Sequence, residues 1–507
     1  MTTINRVLLA NAFFLNNDPK QLVEKFKPYP PLAALYAAAS LQAQQLEVSL
    51  FDATLSAGMD EFSACLNEQK PDLLVICEDS FNFLSKMCLS HVRDATITMT
   101  ELAKALSIPV VVNSSDAADA PRVYLDGGAS FVIAGEVEQS VVELVNWLNH
   151  EPNKKLDNNP DLPAGLIYNL DGQWGRSVRR KNNRALDQLP QPAWSLVNIE
   201  QYHQAWQRYH GYYSINMVTT RGCPYRCNWC AKPIWGQQYV CHSPQYIVQQ
   251  IQQLQQICQL NQLSPLSPLS QIGQPQHIWF ADDIFGLKRG WIAEFAQLMA
   301  QAKLHIPFMI QTRADLMDES TVAALKSAGC QQVWLGVESG SQMILDAMDK
   351  DLNLAQVADS RKLLLDAGIS TGFFIQLGYL DEGITELSAT RAMIMTQRPD
   401  EIGVSVSYPL PGTEFFNKVK PQMADKTHWQ DSNDLDAVFN STFRADFYRL
   451  VRNHLHDELS ALLANPDCLD TQQHWQTRWQ QLVLSAGSYR NRLSVQCTEA
   501  PYDRHHS

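Results

Sequence analysis

Cys223, Cys227 and Cys230 fall within eight residues, in Arg221-Gly-Cys-Pro-Tyr-Arg-Cys-Asn-Trp-Cys230. Thiolates are soft ligands that suit iron-sulfur clusters, and a four-iron cube takes one protein ligand per iron. Three cysteines therefore leave one iron open to an exogenous group. A structural zinc site is the plainer alternative, but it usually shows paired C-x2-C units a dozen or more residues apart, and only Cys241 stands nearby as a fourth ligand. Disulfides fit poorly with 11 cysteines scattered over 507 residues, an odd count, behind the polar start Met-Thr-Thr-Ile-Asn-Arg. The chain reads as reduced and cytoplasmic.

Such a loop must be carried by a sizeable scaffold. An apolar content of 45% with 18% charged residues over 507 positions supports two to four domains with buried cores. The formal net charge of -13 argues against nucleic acid or an anionic membrane as the main partner. No apolar run approaches the ~20 residues of a membrane span.

In the first third, Val7-Ala10, Glu47-Asp52, Asp72-Cys77, Pro109-Val112 and Ser130-Ala134 are short apolar runs, each followed by a helix-like stretch. Strands buried on both faces read this way, so the pattern predicts an α/β doubly wound parallel sheet. Ligands of such sheets bind at the carboxyl ends of the strands, here Asp52-Ala53, Glu78-Asp-Ser80, Asn113-Asp116 and Gly135-Glu136. From Tyr213 onward six strand-helix alternations predict an open, partial (β/α)6 barrel, and the region from about Lys420 predicts a helical cap. The expected domains are 1–150, a Pro- and Asn-rich linker at 151–205, the barrel at 206–420 and a helical region at 421–507. Leu263-Gln271 is a low-complexity insert, and the last ten or so residues read as a disordered tail.

The C-x3-C-x2-C spacing after the expected strand Asn216-Arg221, with Trp229 before the last cysteine, resembles the cluster loop of the radical S-adenosylmethionine (SAM) superfamily. The resemblance implies a [4Fe-4S] cluster on Cys223, Cys227 and Cys230, whose open iron chelates SAM and whose electron releases a 5'-deoxyadenosyl radical. It also implies roles for the strand ends. Asp282 and Asp283 would receive the methionine ammonium, a cation that a carboxylate pair suits, although an aspartate there also suits a helix cap. Arg313 would hold a carboxylate by a two-pronged contact. Glu338 and Ser339 match a strand-four motif associated with SAM. Gln376 and Gly378 fall where backbone approaches adenine, which favours a missing side chain.

Tyr29-Pro-Pro31, Phe51-Asp52 and Ala134-Gly-Glu-Val-Glu138 resemble the cobalamin-binding domain of one branch of that superfamily, and residues 429–449 resemble the anaerobic magnesium-protoporphyrin monomethyl ester cyclase group. The D-x-H-x-x-G motif of cobalt-ligating histidines is missing, since no His follows Asp116 or Asp119, and His91 reads as a satisfied core or surface residue. A vestigial sheet that binds nothing is the alternative. Taken together, the resemblance implies an enzyme that methylates an unactivated carbon with cobalamin, acting on a small-molecule or lipid-like substrate and fed by flavodoxin or ferredoxin. The other readings are hydroxylation or oxidative cyclisation, and a non-catalytic binder of SAM or cobalamin. Tyr408 and Cys330 stand as testable hydrogen donors. Cys77 and Cys88 read as buried inert thiols, and Cys468 and Cys497 lie too far apart in sequence to suggest a second cluster.

Overall fold

The computed structural model describes residues 3–81, 89–150, 162–170, 173–231, 234–262, 275–423, 428–430 and 434–491. Cys88, Cys497, the Leu263-Gln271 insert, part of the expected linker and the chain end lie outside the described residues.

The first sheet holds β1 (Arg6–Ala10), β2 (Glu47–Phe51), β3 (Leu73–Cys77), β4 (Val110–Asn113) and β5 (Phe131–Ile133), all parallel, in the order β2-β1-β3-β4-β5. All five expected runs are strands. Every residue of β3 and β4 is buried, as helices on both faces require. The order reverses between β1 and β3, which opens a crevice at their carboxyl ends. Beyond β5 the sheet continues into an antiparallel pair, β6 (Leu166–Leu170) and β7 (Gln173–Arg176), so part of the expected linker is sheet.

The second sheet starts at β8 (Ser214–Met217). A separate two-stranded ribbon follows, β9 (Thr220–Arg221) against β10 (Val240–Cys241), and then β11 (His277–Phe280), β12 (Phe308–Thr312), β13 (Cys330–Glu338), β14 (Ser370–Leu377) and β15 (Glu401–Val406). The six long strands are parallel and lie in sequential order, an open partial barrel. The expected strand Asn216-Arg221 is thus two elements. The backbone N–H groups of Thr219 and Thr220 donate to Asp282 Oδ1 at 2.7 and 2.8 Å, which turns the chain away from β11.

Helices Ala445–Ala464 and Leu469–Ser485 form the expected C-terminal helical region. Arg391, on the barrel helix Ile384–Gln397, donates to both carboxylate oxygens of Glu458 at 2.7 and 2.5 Å and fastens the first of them to the barrel. The two sheets meet at Tyr29-Pro-Pro31. Asn216 donates to the Pro30 carbonyl at 3.0 Å, Trp206 to the Pro28 carbonyl at 2.7 Å, and the Tyr29 hydroxyl lies 3.2 Å from Ser214 Oγ.

Candidate active site

The cysteine loop leaves the ribbon at the carboxyl ends of the barrel strands. Gly222 starts it with φ +76°, and a Cβ there would stand 2.1 Å from the Gln238 carbonyl oxygen, so only glycine fits. Cys223, Cys227 and Cys230 are all half-buried. Asn228, buried between the last two, anchors the loop. Its backbone N–H donates to Met348 O at 3.0 Å, its Nδ2 donates to Ala347 O and Asp349 Oδ2 at 2.7 and 2.8 Å, and its Oδ1 accepts from the Tyr379 hydroxyl at 2.7 Å.

Asp282 is buried and spends both oxygens on the strand turn, accepting from the Thr219 hydroxyl at 2.6 Å as well as from the two amides. Burial pushes its carboxyl up to about 7, against these hydrogen bonds, which pull it down. Asp283 sits half-buried beside it. Arg313 does make a two-pronged contact, with Asp315 of its own chain at 2.8 and 3.3 Å. It also donates to the carbonyls of Lys350 and Asp351 at 2.8 and 2.6 Å, and lies 3.8 Å over the Tyr225 ring in the cysteine loop.

Glu338 ends β13 with φ +68°, a left-handed conformation that costs a non-glycine residue about 1 kcal/mol or more and clusters at functional sites. It pairs with Lys350 at 2.7 Å, both side chains being buried. Burial depresses the Lys350 ammonium, but Glu338 and then the Cys227 sulfur more than offset this, and the net shift is upward. Gly336 makes room, since a Cβ there would meet Lys350 Nζ at 2.9 Å. Buried Ser339 lies 3.2 Å from the Thr390 hydroxyl. Gln376 accepts from Ser407 Oγ at 3.1 Å. Gly378 has φ +77°, and the space of its missing side chain borders the Tyr448 ring, 3.1 Å from where a Cβ would stand.

These residues gather at one mouth of the barrel, and one candidate, Cys330, does not join them. Cys330 is the first residue of β13, at the strand end opposite Glu338, roughly 25 Å away at ~3.3 Å per residue. As a hydrogen donor at this site it is corrected by its position. Tyr408 is buried and packs edge-on against Trp429 at 4.4 Å. Asn228, Lys350 and Tyr379 are site neighbours that sequence reading passed over, although an Asn between two of the three cysteines was visible.

At the crevice of the first sheet a small cavity of about 20 Å³ is lined by Asn11, Phe13, Tyr29, Thr54, Glu78 and Asp79. Glu78 is buried; Oε1 accepts from the Ala12 N–H at 2.8 Å, and Oε2 has no partner among the described residues. Burial raises its carboxyl to about 7. Asp116 is occupied by Arg93 at 2.6 and 2.5 Å and by the Tyr124 hydroxyl at 2.6 Å. The cysteine loop reaches this sheet through Arg221, which donates to Glu136 at 2.7 Å and to Glu138 at 2.6 Å.

Residues 217–390, from the end of β8 to the helix after β14, match the family model of the radical SAM superfamily. The chain carries a radical SAM domain. The expected superfamily and the α/β architecture are both borne out. The chain is 24% identical over 310 residues to an uncharacterized methyltransferase of Pyrococcus horikoshii, covering 61% of this chain and 62% of that one. It is also 24% identical over 296 residues to the anaerobic magnesium-protoporphyrin IX monomethyl ester cyclase of Rubrivivax gelatinosus, covering 57% and 48%. The chain thus spans less than two thirds of either relative. Among solved structures it shares its fold with the cobalamin-dependent SAM radical enzyme OxsB, at TM-score 0.62 and 19% identity over 77% of this chain and 52% of that one. The radical SAM methyltransferase TsrM of Kitasatospora setae, solved with cobalamin and a [4Fe-4S] cluster, is similar at TM-score 0.62 and 17% identity over 82% and 78%. No helix among the described residues is long and apolar enough to cross a membrane.

Proposed function

We propose that this chain is a cytoplasmic radical SAM enzyme that methylates an unactivated carbon of a small or lipid-like organic substrate, using a [4Fe-4S] cluster, SAM and cobalamin. When bound, the cluster and SAM supply a 5'-deoxyadenosyl radical that removes hydrogen, and cobalamin supplies the methyl carrier. The observation that carries this reading is the three-thiol loop at the carboxyl mouth of an open parallel barrel, joined through buried Arg221 to a doubly wound sheet with a crevice at its switch point.

The residues fit these groups. Three soft donors on one short loop suit iron. Among the described residues no three His, Cys, Asp or Glu side chains converge on a single metal ion, whereas the thiolates of a cube each take a different iron. Lys350 and Arg313, whose charges interact with Cys227, suit a loop that carries negative sulfur. Asp282 braces the turn before the loop, so Asp283 is the carboxylate assigned to the SAM ammonium. Arg313 holds Asp315 and the 350–351 backbone in place beneath Tyr225. Glu338, Ser339, Gln376 and Gly378 form the rim assigned to the rest of SAM. On the first sheet, cobalamin is assigned to the crevice at the strand ends, where one Glu78 carboxylate oxygen has no partner among the described residues. The first domain on this reading runs through β7 rather than ending at 150, and flavodoxin or ferredoxin supplies electrons.

The test is anaerobic reconstitution with iron and sulfide, with and without hydroxocobalamin, followed by reduction with SAM. Bound cobalamin in the optical spectrum with both 5'-deoxyadenosine and S-adenosylhomocysteine as products is the expected result. Deoxyadenosine alone would replace methylation by hydroxylation or cyclisation, and neither product from a cluster-loaded protein would leave a binding role.

A further inference from the structure

Side chains alternate along a strand, and in β13 Val333, Leu335 and Val337 are fully buried against the helices. Trp334 therefore shares the inner face of the barrel with Gly336 and Glu338. In β14 the same alternation places Phe374 on the inner face with Gln376, because Phe373 and Ile375 are buried on the other. Trp334 pairs in register with Gly372, and a Cβ at Gly372 would stand 2.4 Å from the indole. A Cβ at Gly403 on β15 would stand 3.3 Å from both Trp334 and Phe374. Two strand glycines, each an intrinsic cost to a sheet, thus leave the space in which the indole lies along the inner wall. Phe374 stacks on it with centroids 4.8 Å apart and planes 29° apart.

This aromatic layer is open. Phe374 is 37% exposed and Trp334 half-buried, while the aromatic residues on the outer faces of the barrel strands, Phe280, Phe308 and Phe373, are 0% exposed. Phe374 lies two residues before Gln376 on the same face, so the layer sits directly below the rim assigned to SAM. A flat apolar surface left uncovered next to reacting groups is best covered by a flat unsaturated ring, whose offset stacking adds to simple area burial.

We propose that Trp334 and Phe374 seat the substrate, and that the substrate carries a flat unsaturated ring system. This rests on the radical SAM reading. The experiment is equilibrium dialysis of the reconstituted, SAM-loaded full chain against 2-naphthalenemethanol and against its fully saturated, puckered counterpart, decahydro-2-naphthalenemethanol. Stacking worth about 0.5–1.5 kcal/mol makes the flat alcohol bind roughly twofold to twelvefold tighter. Trp334→Leu and the more exposed Phe374→Leu are each expected to remove that preference, with iron content per chain reporting that the fold and loop persist. Equal binding of the two alcohols, or a preference that survives in Phe374→Leu, would overturn the proposal. So would a preference seen without SAM but lost with it, which would assign the layer to adenine. Iron content and SAM cleavage of the unaltered chain are read separately: their failure sinks the radical SAM reading, and loss of the flat-ring preference alone sinks only the substrate class.

Discussion

Arg221 donates to Glu136 at 2.7 Å across the junction of the two sheets, two residues before Cys223, and both side chains are buried. Its second guanidinium nitrogen holds Glu138 at 2.6 Å, and its plane lies 5.5 and 5.6 Å from the rings of Tyr36 and Phe81. The cysteine loop is therefore fixed to the end of β5 by one side chain.

Arg221→Met would leave two carboxylates buried without their counter-charge. Removing one partner of a buried ionic group costs about 3–5 kcal/mol, so we expect a loss of that order in denaturant unfolding and a lower iron content after reconstitution. Adding Glu136→Gln and Glu138→Gln to the same variant should recover part of the stability. An Arg221→Met protein as stable and as iron-rich as the parent would show that the junction does not position the loop.

Gly222→Ala tests the start of the loop. The residue combines φ +76° with a carbonyl 2.1 Å from any Cβ, so the backbone must move by more than side-chain adjustment allows. A forced left-handed residue alone costs on the order of 1–3 kcal/mol. We expect folded protein with unchanged far-ultraviolet circular dichroism and at least severalfold less bound iron; full iron loading would contradict this.

Asn228→Ala removes the acceptor of the buried Tyr379 hydroxyl and a donor to Ala347 O and Asp349. Tyr379 keeps a second bond, to Ala347 O at 2.9 Å. A cost of about 1–3 kcal/mol follows from the groups left short of partners. Tyr379→Phe should cost less, and the double variant should cost less than the sum, because the two share one hydrogen bond. Strict additivity in a double-mutant cycle would mean that the bond contributes nothing.

Much of this arrangement was legible in the sequence. The runs that became β1 to β5 read as strands because both faces are buried, and the cysteine spacing identified the loop without any fold. Features set by distant partners were not legible. The break between β8 and β9 is made by Asp282, more than sixty residues on, whose carboxylate captures the Thr219 and Thr220 amides. Lys350 carries no local signal in the sequence, and only the fold brings it to Glu338 and Cys227. Glu136 and Glu138 stood out as a motif and Arg221 opened another, yet nothing in one chain's pattern pairs them. The pair β6 and β7 was not legible either, since it lies in a stretch whose polar, Pro-rich composition reads as a connector.

Glu382 gives the barrel a pH dependence with a definite sign. It is fully buried in the loop after β14, where Oε2 accepts from the Gly378 N–H and Oε1 has no partner among the described residues. Burial lifts its carboxyl to about 8, and Glu386 adds to the rise against the Gly378 hydrogen bond. A carboxyl raised above its unfolded value of ~4.3 favours the fold fully below that pH, and the contribution is lost as pH climbs through the folded value. The parent should therefore lose on the order of a few kcal/mol between pH ~4.5 and ~8 relative to Glu382→Gln, which keeps an acceptor for Gly378 and cannot ionise. Parallel stability curves for the two proteins across that range would show that Glu382 is ionised at no cost, and that Gly378 is held at the barrel mouth by something other than a neutral acid.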